Sequence, residues 1–160
     1  MVWNIKYKRS RHAVAVGGHA LWRSLAENVS GSPIIILPMP ITQKRRRERG
    51  YNQCELLLDE MKQLSSENEN FLFEKDLLIR THHAARQTLK DRADRVESAK
   101  GIFGVNGKAL EKYLVANPEF KKMPIIVIDD VITTGSTTRE AIDVLKRAGF
   151  EDVRAISIAH

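Results

Sequence analysis

The chain has 160 residues, the size of one ordinary domain, and its 26 Lys and Arg against 20 Asp and Glu leave a formal charge of +6. An apolar content of 42% is enough for a core, which excludes a disordered chain, and the positive balance suits anionic partners such as polyphosphates, nucleotides or nucleic acid. A single cysteine, Cys54, excludes an internal disulfide and a cysteine-rich zinc site, and no apolar run approaches the roughly 18 residues of a membrane span.

Residues 1–10 are basic and aromatic and carry charge where a signal peptide would be apolar, so a cytoplasmic location is expected. From about Ala13 to Val29, apolar residues recur at helical spacing (Val16, Ala20, Leu21, Leu25 and Val29), with Gly17 and Gly18 weakening the pattern. Ile34 to Leu37, a β-branched run between prolines, predicts a buried strand. Leu56, Leu57, Met61 and Leu64 mark one face of a helix from about Asn52 to Leu64, and Cys54 within it reads as a small packed residue rather than a nucleophile. Ser65 to Asn70 is a polar loop, and Leu77 to Ile79 a short strand. Thr81 to Lys100 is charged, aperiodic and long for a connection, as functional loops often are. A second short strand at Ile102 to Val105 and a short helix at Lys108 to Ala116 follow. Pro124 to Ile128 is the clearest strand. Thr137 to Ala148 is a helix with Ala141, Ile142, Leu145 and Ala148 on one face and Gly149 as its stop, and Val153 to Ile158 is a final strand. That strand–helix–strand ending predicts an α/β fold with a central, mostly parallel sheet flanked by helices, in one domain.

The chemistry concentrates where the clearest strand ends. Asp129 and Asp130 close it, and Thr133, Thr134, Gly135, Ser136 and Thr137 lead into the next helix. Ligands of α/β sheets bind at the carboxyl ends of the strands, and loop amides with a helix N-terminus make an anion site. Gly135 lets the backbone turn closely around a phosphate. The acids would repel a phosphate, so they should face sugar hydroxyls, a divalent cation or a cationic transition state. A ribose 5-phosphate satisfies the whole set, with its phosphate in the loop and its 2′- and 3′-hydroxyls on the carboxylates. The bland alternative is a Thr or Ser that caps a helix after exposed acids. A Walker A loop is excluded, because no Gly-x-x-x-x-Gly-Lys-Ser/Thr is present.

The string from Val127 to Thr137 resembles the motif with which type I phosphoribosyltransferases bind 5-phosphoribosyl-1-pyrophosphate (PRPP). A second segment narrows the resemblance. Pro38-Met39-Pro40, then Arg45, then Arg49-Gly50-Tyr51-Asn52-Gln53, is similar to the Pro-x-Pro…Arg…Arg-Gly-Phe/Tyr-Asn-Gln pattern of the ComF/GntX branch, which is linked to competence and DNA uptake. Gln87, Leu89, Arg95 and Phe103 fit a further stretch of that pattern, and Lys6-Tyr7 an early one. The resemblance spans nearly the whole chain. It implies a single phosphoribosyltransferase domain over residues 1–160, with a flexible hood over about 80–100 that closes on substrate. The sequence lacks the four-cysteine zinc module that many family members carry, so zinc is not expected. It also has Ser98 where an asparagine is common, and a longer segment from Gly107 to Met123. The last two departures concern the acceptor end of the site.

The resemblance implies transfer of phosphoribosyl from PRPP to a nucleophile, commonly a nitrogen, with release of pyrophosphate. Asp129, Asp130 and Arg95 are the implied catalytic residues. The implied PRPP contacts are Asp129, Asp130, Thr133, Thr134, Gly135, Ser136 and Thr137, the pyrophosphate loop Pro38, Met39 and Pro40, then Arg45, Arg49 and Gln87. Mg²⁺ is implied as a cofactor held mainly through PRPP, with no dedicated protein site. Tyr51, Asn52 and Gln53 line the pocket or lock the loop. His82 and His83 have no partner pattern for a metal. A second reading is a non-catalytic protein that senses PRPP or a nucleotide, or that handles single-stranded DNA or assists the competence machinery. The basic run Lys44 to Arg49 beside Tyr51 favours it. A nucleotide hydrolase with the acids on Mg²⁺ is a third, which the Thr-Thr-Gly-Ser-Thr loop argues against. The acceptor stays open, as does the oligomeric state, homodimers being common in this class.

Overall fold

A computed structural model describes residues 11–28, 33–65, 70–81, 101–132 and 134–159. In chain order these form α1 (Arg11–Asn28), β1 (Ile34–Pro38), α2 (Gln43–Arg49), α3 (Gln53–Leu64), β2 (Phe71–Phe73), β3 (Leu78–Arg80), β4 (Phe103–Val105), α4 (Gly107–Ala116), a 3-10 turn (Pro118–Lys122), β5 (Ile125–Val131), α5 (Ser136–Arg147) and β6 (Val153–Ala159). Four strands make one sheet in the order β2-β1-β5-β6, with every neighbouring pair parallel. β3 and β4 form a separate antiparallel pair.

The β-branched runs are continuous because both faces of the sheet are covered. Ile34, Ile36, Ile126 and Ile128 share a core with Leu21 and Leu25 of α1 and with Leu57, Leu58 and Met61 of α3. Ile35, Leu37, Ile125 and Val127 point the other way, into a core with Ala141, Val144 and Leu145 of α5 and with Leu110, Phe120 and Phe150. The fold is therefore a mostly parallel sheet between layers of helix, as the strand–helix–strand pattern predicts.

Four details differ from the sequence reading. The buried face of α1 is Ala13, Val14, Gly17, Gly18, Leu21 and Leu25, while Val16 and Ala20 are exposed. The glycines do not weaken this helix. Gly18 lets it approach α3 closely, where a Cβ would lie 2.5 Å from Glu60 Cγ. β5 does not stop before the acids but runs through Asp129 and Asp130, with Asp129 opposite Ser157 of β6. The edge strand β2 and the 3-10 turn were not foreseen: each is short, and β2 is only half-buried, so neither imposes a period. Finally, the basic run is a helix of its own, α2, with no buried residue. Of the hood expected over about 80–100, Arg80 ends β3 and Thr81 follows it, while residues 82–100 lie outside the described residues. Among the described residues, no helix is long and apolar enough to cross a membrane.

Parallel pairing fixes where loops can meet. Pro38 pairs with Ile128, and the Met39 amide donates to the Ile128 carbonyl at 2.8 Å. The turn after β1 and the acids of β5 thus emerge side by side from the two central strands, at the edge formed by the carboxyl ends of the strands.

Candidate functional site

A cavity of about 310 Å³ opens at that edge. Met39, Pro40 and Ile41 from the β1 turn line one side, with Arg45 and Arg49 of α2 and Gln53 and Cys54 of α3. Asp129 to Ile132 and Thr134 to Thr138 line the other, and Arg80 closes the rim.

Gly135 makes the loop-to-helix turn. Its φ of 72° is in the left-handed region that favours glycine, and it holds the N-cap position of α5. Gly135 at the N-cap position has no side chain with which to cap α5, and Thr134 Oγ1 accepts from the Ser136 amide at 3.5 Å. The Thr134 and Ser136 hydroxyls lie 3.1 Å apart in front of the helix start. Among the described residues, a Cβ on Gly135 would meet only Ile132 Cγ2, at 3.9 Å. Helix amides and two hydroxyls form an anion-binding arrangement.

The acids are half-buried at the cavity floor. Asp129 Oδ1 accepts from the Asp130 amide at 2.9 Å, and Cys54 Sγ lies 4.0 Å away. Burial pushes the Cys54 thiol well up, and the neighbouring charges of Asp129 and Asp130 push it further. Sulfur and carboxylate oxygens of Cys54, Asp129 and Asp130 lie within 4.8 Å of one another. The carboxylates fit a hard cation such as Mg²⁺. A thiol held protonated does not.

On the opposite wall the site is cationic. Burial first, then the like charge of Arg45, lowers the Arg80 guanidinium pKa, with Glu140 opposing. Arg80 also stands 5.2 Å over the Phe103 ring. Two guanidiniums crowded at one cavity are stabilised when an anion enters.

The second motif segment divides its labour. Asn52, 1% exposed, donates through Nδ2 to the Met39 carbonyl at 3.0 Å and caps α3 by accepting from the Cys54 amide at 3.1 Å. It locks the β1 turn against α3. Gln53 lines the cavity. Tyr51 is half-buried and is not among the lining residues. Pro38 is buried at the end of β1 and does not line the cavity either. Arg46, within the basic run, is ion-paired to Glu55.

Of the expected site residues, Met39, Pro40, Arg45, Arg49, Asp129, Asp130, Thr134, Gly135, Ser136 and Thr137 share this one cavity. Thr133, Gln87 and Arg95 lie outside the described residues. Sequence reasoning missed Arg80, and it took Cys54 for packing alone. Thr81 and Gly101, the described residues on either side of 82–100, meet beside Arg80. There Arg80 pairs with Phe103, the Thr81 amide donates to the Ile102 carbonyl at 2.9 Å, and its hydroxyl to the Gly101 carbonyl at 2.7 Å.

Comparison with known proteins addresses the same residues. The family described as "Phosphoribosyl transferase domain" matches residues 83–160, which include the acids and the Gly135 loop. Competence protein F of Haemophilus influenzae is 30% identical over 128 residues, covering 79% of this chain and 50% of that protein. Residues 83–160 are thus similar to the phosphoribosyl transferase domain, and most of the chain is similar to half of a competence protein. DNA utilization protein YhgH of Shigella flexneri is 27% identical over 122 residues, 76% of this chain and 47% of that protein. The chain thus spans about half the length of the curated relatives it matches. Among solved structures, a hypoxanthine phosphoribosyltransferase from Staphylococcus aureus aligns with a TM-score of 0.43 at 11% identity, covering 90% of this chain and 61% of that one.

Proposed function

We propose that this domain binds PRPP in the cavity at the sheet edge and transfers its phosphoribosyl group to a nucleophile, with release of pyrophosphate. One observation carries the reading: a half-buried acid pair, a helix start at a left-handed glycine and three arginines line a single cavity. The 5′-phosphate takes the amides and hydroxyls of Thr134 to Thr137. The ribose hydroxyls donate to Asp129 and Asp130. The diphosphate meets the Met39–Ile41 turn, with Arg45, Arg49 and Arg80 offering charge-assisted hydrogen bonds. As the bond to C1 breaks, positive charge grows on the ribose and negative charge on the diphosphate. The carboxylates stabilise the first and the arginines the second, without reorganising. Mg²⁺, when bound, neutralises charge on the diphosphate, and Asp129 and Asp130 are the carboxylates able to hold it. Gln87 and Arg95 enter the reading only through the sequence resemblance, as hood residues, and lie outside the described residues.

Calorimetry with PRPP and Mg²⁺ tests the site. Asp129→Asn combined with Asp130→Asn should weaken PRPP binding at least about 100-fold, the loss of two hydrogen bonds to charged groups. The thermal unfolding transition should persist. Unchanged affinity in the double variant refutes the assignment. Pyrophosphate release with candidate acceptors tests turnover.

A second reading, contact with single-stranded DNA, draws on α2. Lys44, Arg45, Arg46 and Arg47 are exposed on it, and the relatives are named for competence and DNA utilization. A steep fall of DNA affinity with salt is its signature.

A further inference from the structure

Gln53 is the first residue of α3 and is only 2% exposed. It lines the cavity between the Met39–Ile41 turn and the acid pair. Its Nε2 is enclosed and has no hydrogen-bond partner among the described residues. No other side-chain nitrogen or oxygen among the described residues stands in that position. A buried amide donor left unpaired is destabilising, so such a group is expected to meet its acceptor in some state of the protein.

The neighbours say which acceptor. Asn52 ties the start of α3 to the Met39 carbonyl, so Gln53 is held against the turn. Arg45 and Arg49 line the same wall and carry only donors. A donor amide beside two guanidiniums suits an oxygen-rich anion. Asp129 is already committed on one oxygen to the Asp130 amide. A carboxamide adds a directional hydrogen bond without adding charge, which an arginine cannot do. It can therefore fix the orientation of a group that the arginines hold mainly by charge.

We infer that Gln53 is a positioning residue for the diphosphate: its carboxamide nitrogen donates to a diphosphate oxygen on the side facing the Met39–Ile41 turn. This rests on the PRPP reading and assigns a specific donor within it. Gln53 aligns the leaving group before the bond to C1 breaks and takes no part in proton transfer.

The test uses the wild-type chain, Gln53→Met and Gln53→Glu. Methionine keeps the length of the side chain and removes the donor. Glutamate replaces the donor with a negative acceptor. Each protein is titrated by calorimetry with PRPP, with inorganic pyrophosphate and with ribose 5-phosphate, all with Mg²⁺, and the ligand-free proteins are unfolded in urea. Gln53→Met should bind PRPP and pyrophosphate about 10-fold more weakly, the loss of one hydrogen bond to a charged group, and ribose 5-phosphate as the wild type does. Its ligand-free urea midpoint should equal or exceed that of the wild type, because an unpaired donor has been replaced by an apolar group. Gln53→Glu should bind the two diphosphates more weakly still. Wild-type affinity for both diphosphates in Gln53→Met overturns the inference and leaves the PRPP reading standing. Equal loss for all three ligands with a lower urea midpoint also overturns it, since that is the mark of a purely structural residue. A wild type that binds none of the three ligands ends both.

Discussion

Gly135 is where backbone conformation and ligand chemistry coincide. Its φ of 72° costs an L side chain roughly 1–2 kcal/mol, although among the described residues a Cβ there would meet nothing nearer than Ile132 Cγ2 at 3.9 Å. Gly135→Ala should therefore fold, with unfolding free energy lowered by about 1–2 kcal/mol in a urea titration. The same Cβ would protrude into the space before the helix amides. PRPP affinity should fall by about 10-fold or more, beyond the change in stability. A variant as stable as the wild type would mean that the left-handed turn is not held in solution. A destabilised variant with full affinity would mean that the phosphate does not approach this backbone.

At the scale of elements, the contact between α1 and α3 depends on a missing side chain. Gly18 faces Glu60 so closely that a Cβ would lie 2.5 Å from Cγ and 2.7 Å from Cβ of that residue. Gly18→Val should lower stability by about 1–2 kcal/mol, because overpacking outweighs the gain in helix propensity. Ala20→Val, on the exposed side of the same helix, should cost only about 0.5 kcal/mol. Equal urea midpoints for the two variants would refute close packing at Gly18. This contact also explains what was legible. Ile34 to Leu37 and Ile125 to Ile128 announce strands because both of their faces are buried and every position must be apolar. On α1, Leu21 and Leu25 are buried as their spacing predicts, whereas Val16 and Ala20 are exposed and Gly18, a poor helix former, makes the contact with α3. Phe71 to Phe73 left no trace, because three half-buried residues at a sheet edge carry no period.

At the scale of the whole molecule, the site is assembled by topology from segments that are distant in sequence. The acids and the Gly135 loop were readable because one contiguous string carries them. Arg80 and Cys54 were not, because nothing local marks them. Arg80 joins the cavity through the β3–β4 pair, and Cys54 through the capping of α3 by Asn52. Cys54 is also a reporter of that assembly. It is the chain's single cysteine, 3% exposed, with its thiol pushed well above the usual range by burial and then by Asp129 and Asp130. A thiol reagent near neutral pH therefore finds little thiolate and little access in the native state. Labelling should proceed through opening of α3 from the sheet. The logarithm of its rate should rise with urea along the same slope as global unfolding. A ligand that binds only the closed form slows the reaction through linkage, by about 100-fold at a PRPP concentration 100 times its Kd. The measurement is the pseudo-first-order labelling rate with and without PRPP and Mg²⁺ across a urea series. A native rate close to that of a free thiol would show that Cys54 is reached without opening. A rate indifferent to saturating PRPP would separate the cavity floor from the ligand, and the acid pair with it.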